Sequence, residues 1–254
     1  MSDFFKLTGK RVVITGGTSG IGLATAGAFL DAGAKVVICG RSAERGQDAM
    51  NQLEDRGPVW FVPADAADDA AITGLARASD GYMGGVDVIV CAAGTNRRGT
   101  PQDLSLADWD DVLDSSLRGT FLTARAFYPG LCASGDGRIV TIGSMLSVLA
   151  NEVTAPYAAA KGGVVQLTRS LAVAWAKDGI LANCILPGWV DTPLTQQARK
   201  DMPDLDRRVR ERTPIGRWAA PEEIAGAILF LTTPAAGFMT GAAVPVDGGY
   251  LIRA

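Results

Sequence analysis

The chain has 254 residues, 48% of them hydrophobic, a net charge of −3 and a pI near 5.1. That balance argues against a polyanion-binding surface, so nucleic acid is not expected as a partner. No apolar run approaches the roughly 18 residues needed to span a bilayer, and "MSDFFKLTGK" lacks the apolar core of a signal peptide, so a cytoplasmic protein without a membrane partner is expected.

The length suits one larger α/β domain covering residues 1–254. Strands are predicted at 11–15 (RVVIT), 35–39 (KVVIC), 59–62 (VWFV), 86–91 (VDVIVC), 138–143 (RIVTIG), 181–186 (LANCIL) and 242–247 (AAVPVD), with helical patterns between most of them. The alternation predicts a doubly wound, Rossmann-type parallel sheet with helices on both faces. Helix starts are marked by Ser42, by Ser105 three residues before Asp108, and by Pro221 with two glutamates in the first turn. Residues 191–215 depart from the pattern. They are highly charged and proline-rich, either a solvated surface segment or a lid over a site.

The first predicted strand runs into TGGTSGIG (15–22), where Gly16, Gly20 and Gly22 fall at a sharp strand-to-helix turn. Side chains there would hold a phosphate away from the backbone N–H groups, so this turn is a candidate dinucleotide site. Its spacing, G-x-x-x-G-x-G, differs from the common G-x-G-x-x-G fingerprint. The second predicted strand ends in Gly40, where an NAD-selective site usually places a carboxylate, and Arg41 and Ser42 follow. This points to NADP, with NAD possible because Arg41 is equally able to stack on adenine. The four cysteines, Cys39, Cys91, Cys132 and Cys184, form no C-x-x-C pair, and histidine is absent, so no metal site is expected.

Without histidine, proton transfer at neutral pH needs another group. In PYAAAK (156–161), Tyr157 and Lys161 are four residues apart and share one helix face. A nearby ammonium favours phenolate, so Lys161 is expected to lower the tyrosine pKa from its ordinary value near 10. Ser144, at the end of the fifth strand, is placed to hydrogen-bond the same substrate oxygen. An ordinary helix with a packed tyrosine and an exposed lysine is the alternative.

Taken in order, TGGTSGIG (15–22), Asp65, AAG (92–94), Ser144, YAAAK (157–161) and PG (187–188) resemble the short-chain dehydrogenase/reductase family over essentially the whole chain. The resemblance implies seven parallel strands and a nicotinamide cofactor across their carboxyl ends. It assigns Ser144, Tyr157 and Lys161 to catalysis, with Lys161 also holding the nicotinamide ribose. Cofactor contacts are implied for Gly16, Thr18, Ser19, Gly20, Ile21, Gly22, Arg41, Ser42, Asp65, Ala66, Ala92, Ala93, Gly94, Pro187, Gly188, Val190 and Thr192. Two positions depart from the family: Ser116 stands where many members have an asparagine holding a relay water, and Ala92 replaces another asparagine. They keep open a nucleotide-binding scaffold without catalysis.

Four segments, 97–112, 144–161, 175–188 and 216–231, look similar to gluconate 5-dehydrogenases and 2-deoxygluconate 3-dehydrogenases within that family, which implies a secondary alcohol or ketone on a sugar acid or polyol. A broad carbonyl reductase or another sugar dehydrogenase is the alternative. Arg97 and Arg98 are either a carboxylate grip or a solvated pair. Met145, Leu146, Asn151, Trp189 and Leu194 are candidate pocket walls, with core packing as the alternative for the apolar ones. The helical stretches at 109–131 and 157–176 carry more apolar residues than one inward stripe requires, and a homotetramer is expected.

Overall fold

The computed structural model describes residues 3–253. Seven strands form one parallel sheet: β1 (Arg11–Thr15), β2 (Lys35–Gly40), β3 (Val59–Pro63), β4 (Val88–Cys91), β5 (Gly137–Ile142), β6 (Ile180–Pro187) and β7 (Ala243–Val246). Their order is β3-β2-β1-β4-β5-β6-β7, so the winding reverses beside β1. Thr15 at the end of β1 pairs with Cys39 on one side and Cys91 on the other. The crevice beyond these strand ends is where open α/β sheets take ligands.

Alternation along the strands sends side chains to both faces. Val12 and Ile14 join Val36, Ile38 and Phe29 in one apolar layer, while Val13 joins Val37, Ile89 and Phe127 in the other. The first layer is covered by α1 (Gly20–Asp31), α2 (Ala43–Leu53) and α9 (Pro221–Thr232). The second is covered by α3 (Asp69–Met83), α5 (Gly119–Ser134) and α6 (Ala155–Trp175). The predicted starts hold. Ser42 Oγ accepts from the Arg45 N–H at 3.2 Å, Ser105 Oγ from the Asp108 N–H at 3.0 Å, and Pro221 opens α9.

Two segments differ from a plain sheet unit. The long pattern through residues 109–131 is not one uniform helix: α4 (Leu106–Leu113) passes through a π-helical turn, Asp114–Arg118, into α5. At that turn the Thr120 hydroxyl donates to the Ser116 carbonyl at 2.6 Å, a side-chain bond that competes with the regular ladder. Residues 191–215 fold into α7 (Pro193–Asp201) and α8 (Leu205–Arg212) around a small core of their own, Ala198, Leu205, Val209 and Trp218.

Candidate active site

The glycine turn between β1 and α1 is tightly folded. Gly16 has φ of +69°, and a Cβ there would lie 2.7 Å from the Ala93 nitrogen; at Gly22 it would lie 2.2 Å from the Gly16 carbonyl oxygen. Neither position accommodates a side chain without moving backbone. Ser19, the N-cap of α1, makes no side-chain cap bond, and Gly20, Ile21 and Gly22 of the first turn line a cavity of about 180 Å³. Uncapped first-turn N–H groups facing a cavity suit a pyrophosphate. The same cavity is walled by Ala92, Ala93, Gly94, Tyr157, Lys161 and Thr192. A second cavity of about 120 Å³ shares Gly16, Ala93 and Gly94 with it and continues past Thr18, Gly40, Arg41, Asp65 and Ala66. Together they form one cleft along the carboxyl ends of the strands, with the shape and donor set of a dinucleotide site.

At the floor of the first cavity, Pro156 in the first turn of α6 sets the helix so that Tyr157 and Lys161 stand one turn apart. Lys161 is buried. Its Nζ donates to the Ile142 carbonyl at 2.6 Å and lies 5.6 Å from the Tyr157 ring centroid. Burial lowers its pKa to about 8, with the Cys184 and Cys91 sulfurs pulling weakly the other way. Tyr157 departs from the sequence expectation: its pKa is raised, not lowered, because desolvation outweighs hydrogen bonding from Ser144 and the charge of Arg98. Burial of the phenol, not the position of the lysine, sets the sign of the shift. The phenol is therefore protonated at neutral pH, the state of a proton donor.

Ser144 follows β5 in an extended conformation and caps a short turn, its Oγ accepting from the Leu146 N–H at 3.1 Å. A residue that sequence reading missed fixes this arrangement. The Ser147 hydroxyl accepts from the Ser144 N–H at 3.1 Å and donates to the Lys161 carbonyl at 2.8 Å, tying the serine loop to α6. Its signal was the S-x-x-S spacing of a reciprocal cap. Ser116 is buried in the π turn with its hydroxyl unpartnered; a Cβ added at Gly94 would stand 3.0 Å from that oxygen and 3.5 Å from Lys161 Nζ. The serine thus borders the same space as the lysine.

Of the two adjacent arginines it is Arg98 whose charge acts on the tyrosine, and its Nη1 is buried without a partner. Arg97 is turned away into an ion pair with Asp111 at 2.7 Å. Thr192 lines the first cavity together with Pro193 and Leu194, while Val190 is buried and bridges to Ala219. Pro187 closes β6, and Gly188 backs onto Asp247 in a separate cavity. Trp189 packs edge-on against Trp218, ring centroids 5.3 Å apart, and so belongs to the small core of α7 and α8 rather than to the wall beside Tyr157. Asn151 is exposed, its Oδ1 taken by the Val153 N–H and the Thr154 hydroxyl, and Met145 is buried. Arg45, which the sequence reading passed over, lines the second cavity beside Arg41; it lies one helical turn further on, a spacing that would have revealed it.

Fold and cleft together define a dinucleotide-binding α/β oxidoreductase. A family model described as enoyl-(acyl carrier protein) reductase, of the short-chain dehydrogenase type, matches residues 16–251. The gluconate 5-dehydrogenase of Gluconobacter oxydans (strain 621H) is 36% identical over 252 residues, covering 98% of each chain. The cis-4-hydroxycyclohexanecarboxylate dehydrogenase of Sinomonas cyclohexanicum is 40% identical over 244 residues, covering 95% of this chain and 96% of the relative. A solved structure described as an NAD(P)-dependent gluconate 5-dehydrogenase from Beutenbergia cavernae, with bound NADP at low occupancy, superposes with a TM-score of 0.92 at 38% identity, covering 98% of this chain and 100% of the other. The chain belongs to the short-chain dehydrogenase/reductase family and is an NAD(P)-dependent oxidoreductase acting on CH–OH groups. Among the described residues, no helix is long and apolar enough to cross a membrane.

Proposed function

We propose that the protein interconverts a secondary alcohol and a ketone on a hydroxy acid, with NADP as its preferred cofactor. The observation that carries the substrate class is Arg98: a guanidinium with a buried, unpartnered Nη1 whose charge acts on Tyr157 suits a carboxylate on the molecule whose oxygen Tyr157 serves. Both curated relatives described above act, by their names, on compounds that carry a hydroxyl and a carboxylate.

When bound, the nicotinamide supplies or accepts the hydride. Tyr157 donates a proton to the carbonyl oxygen in reduction and takes it back in oxidation. Ser144 hydrogen-bonds that oxygen and stabilises its developing charge. Lys161 holds the ribose hydroxyls, and with Ser116 borders the space through which the phenol regains its proton. Arg41 and Asp65 flank the adenosine end. Helices α7 and α8 form a lid: Thr192 and Leu194 wall the cavity from one side, while the lid's own small core lets it move as a unit. Almost wholly exposed Val173 on α6 and Phe238 before β7, with Phe121 on α5, support a homotetramer that covers them. Four free cysteines support a cytoplasmic setting.

The deciding experiment is a turnover screen of sugar acids, neutral polyols and simple ketones with NADP and NAD, repeated with Arg98→Gln. Hydroxy acids should be the best substrates, and the variant should raise their KM about tenfold or more while leaving neutral polyols nearly unchanged. Tight NADP binding without turnover of any compound would instead identify a nucleotide-binding scaffold.

A further inference from the structure

Helix α8 carries two arginines whose charge nothing in the chain neutralises. Its acidic residues are engaged elsewhere: Glu211 pairs with Arg207 at 3.1 Å and Asp206 with Arg210 at 2.7 Å. Arg208 and Arg212 are four residues apart and share a face, a like-charged spacing that weakens an isolated helix. Among the described residues neither has a carboxylate partner. A third guanidinium, Arg253, comes from the C-terminal segment after β7, and its Nη1 donates to the Glu211 carbonyl in the last turn of α8. Exposed arginines such as Arg118, Arg125 and Arg210 hold carboxylates. Unpaired ones gather elsewhere at ligand sites, since Arg41 and Arg45 line the cofactor cleft and Arg98 acts on Tyr157.

Arg208, Arg212 and Arg253 line a cavity of about 380 Å³ between α8 and the C-terminal segment. It shares no wall with the two cavities of the cofactor cleft, and Ser144, Tyr157 and Lys161 are absent from it. Its remaining walls are mostly apolar: Leu205, Val209 and Trp189. The Trp189 Nε1 is buried with no acceptor among the described residues, an unsatisfied donor at the cavity wall. The Arg212 guanidinium lies over the Tyr250 ring, 4.4 Å from its centroid, a contact that holds its flat face and leaves its N–H edge free to donate.

We infer that the cavity between α8 and the C-terminal segment binds an organic dianion, a phosphate monoester or a dicarboxylate carried on an apolar body. Planar guanidinium groups grip either anion through paired charge-assisted bonds, and the body lies against Leu205, Val209 and Trp189. Two negative charges suit the site because three guanidinium groups converge there and Glu211, the acid at its wall, is already held by Arg207. The ligand joins the C-terminal segment to α8, so it is separate from the reacting groups yet attached to the helices that flank them. The inference is independent of the substrate and cofactor proposed above.

The test is titration calorimetry on the full-length protein saturated with NADP, which occupies the phosphate-binding groups of the cleft. Phenyl phosphate and phthalate, dianions at about pH 7.5, are the probes; inorganic phosphate reports charge alone and benzyl alcohol the apolar body alone. One of the aromatic dianions should bind once per subunit, about tenfold or more tighter than inorganic phosphate, with no measurable binding of benzyl alcohol. Tighter phenyl phosphate identifies a phosphate ester as the ligand class, and tighter phthalate a dicarboxylate. Arg253→Gln should weaken the probe about tenfold, and Arg208→Gln combined with Arg212→Gln about a hundredfold, while the NADP Kd and the circular dichroism stay as in the wild type. Arg77→Gln, exposed on α3, should leave the probe Kd within about threefold. Failure of both aromatic dianions to bind saturably would overturn the inference. So would loss of binding in Arg98→Gln with retention in the Arg208 and Arg212 double variant, which places the probe in the substrate cleft. Inorganic phosphate binding as tightly as the aromatic dianions would overturn the apolar half.

Discussion

Replacing Lys161 by methionine should make the cofactor-free protein more stable at pH 7 while destroying its activity. The ammonium is buried and donates to the Ile142 carbonyl, and its pKa falls from the ordinary 10.5 to about 8. That fall corresponds to about 3 kcal/mol lost from the folded state at pH 7. Methionine removes the charge at similar volume but leaves the Ile142 carbonyl without its donor, an offset of about 1–2 kcal/mol. The net gain is about 1–2 kcal/mol, or roughly 2–8 °C in Tm for a domain of this size. The pH dependence carries the sharper signature. Between pH 8 and 10.5 the unfolded lysine binds a proton that the folded one has released, so wild-type stability from this group rises across that window. Methionine has no such term, so its advantage should shrink above pH 8 and disappear by about pH 10. Thermal unfolding by circular dichroism at pH 7, 8.5 and 10, at fixed protein concentration, reads both effects. A variant less stable than wild type at pH 7, or an advantage that does not change with pH, would refute the account of Lys161 as an under-solvated cation held for function.

Tyr157→Phe should leave NADP binding within about threefold and reduce kcat about 100- to 10,000-fold, measured by steady-state kinetics beside a binding titration, since the ring remains and the proton donor is lost. Ser147→Ala removes the link between the Ser144 N–H and the Lys161 carbonyl; we expect a fall of about tenfold in kcat with KM little changed, and recovery in Ser147→Thr, which a general loss of stability would not reproduce. Light scattering at micromolar concentration should give the mass of a tetramer, and Val173→Glu or Phe238→Glu should reduce it by putting charge on apolar surface that assembly covers.

The strands were legible because their apolar runs are long and β-branched: RVVIT is β1 at both ends, and the others shift by a residue or two. Ser42, Ser105 and Pro221 marked helix starts by local chemistry that tertiary contacts did not override. What escaped was direction. Sequence spacing placed Lys161 beside Tyr157, but not the burial of the phenol that outweighs its favourable contacts, so the sign of the tyrosine shift came out wrong. Adjacent Arg97 and Arg98 were indistinguishable until Asp111 claimed the first. Trp189 read as a pocket wall because its partner Trp218 is distant in sequence, whereas Arg45, four residues after Arg41 and just behind the Ser42 cap that the sequence marked, was within reach of sequence reasoning.

The stretch after Ser144 is pinned at two places, by Ser147 at one end and by the Asn151 contacts to Val153 and Thr154 at the other. Between the pins, Val148 is exposed, and the Leu149 N–H returns to the Met145 carbonyl within the same turn. Residues 148–150 therefore form a cassette whose sequence is mechanically decoupled from the reacting groups on either side. A lineage, or a designer, is free to rewrite that cassette in search of a new substrate while Ser144, Tyr157 and Lys161 keep their mutual geometry, because the forces that align them pass through Ser147 and α6 and not through the cassette.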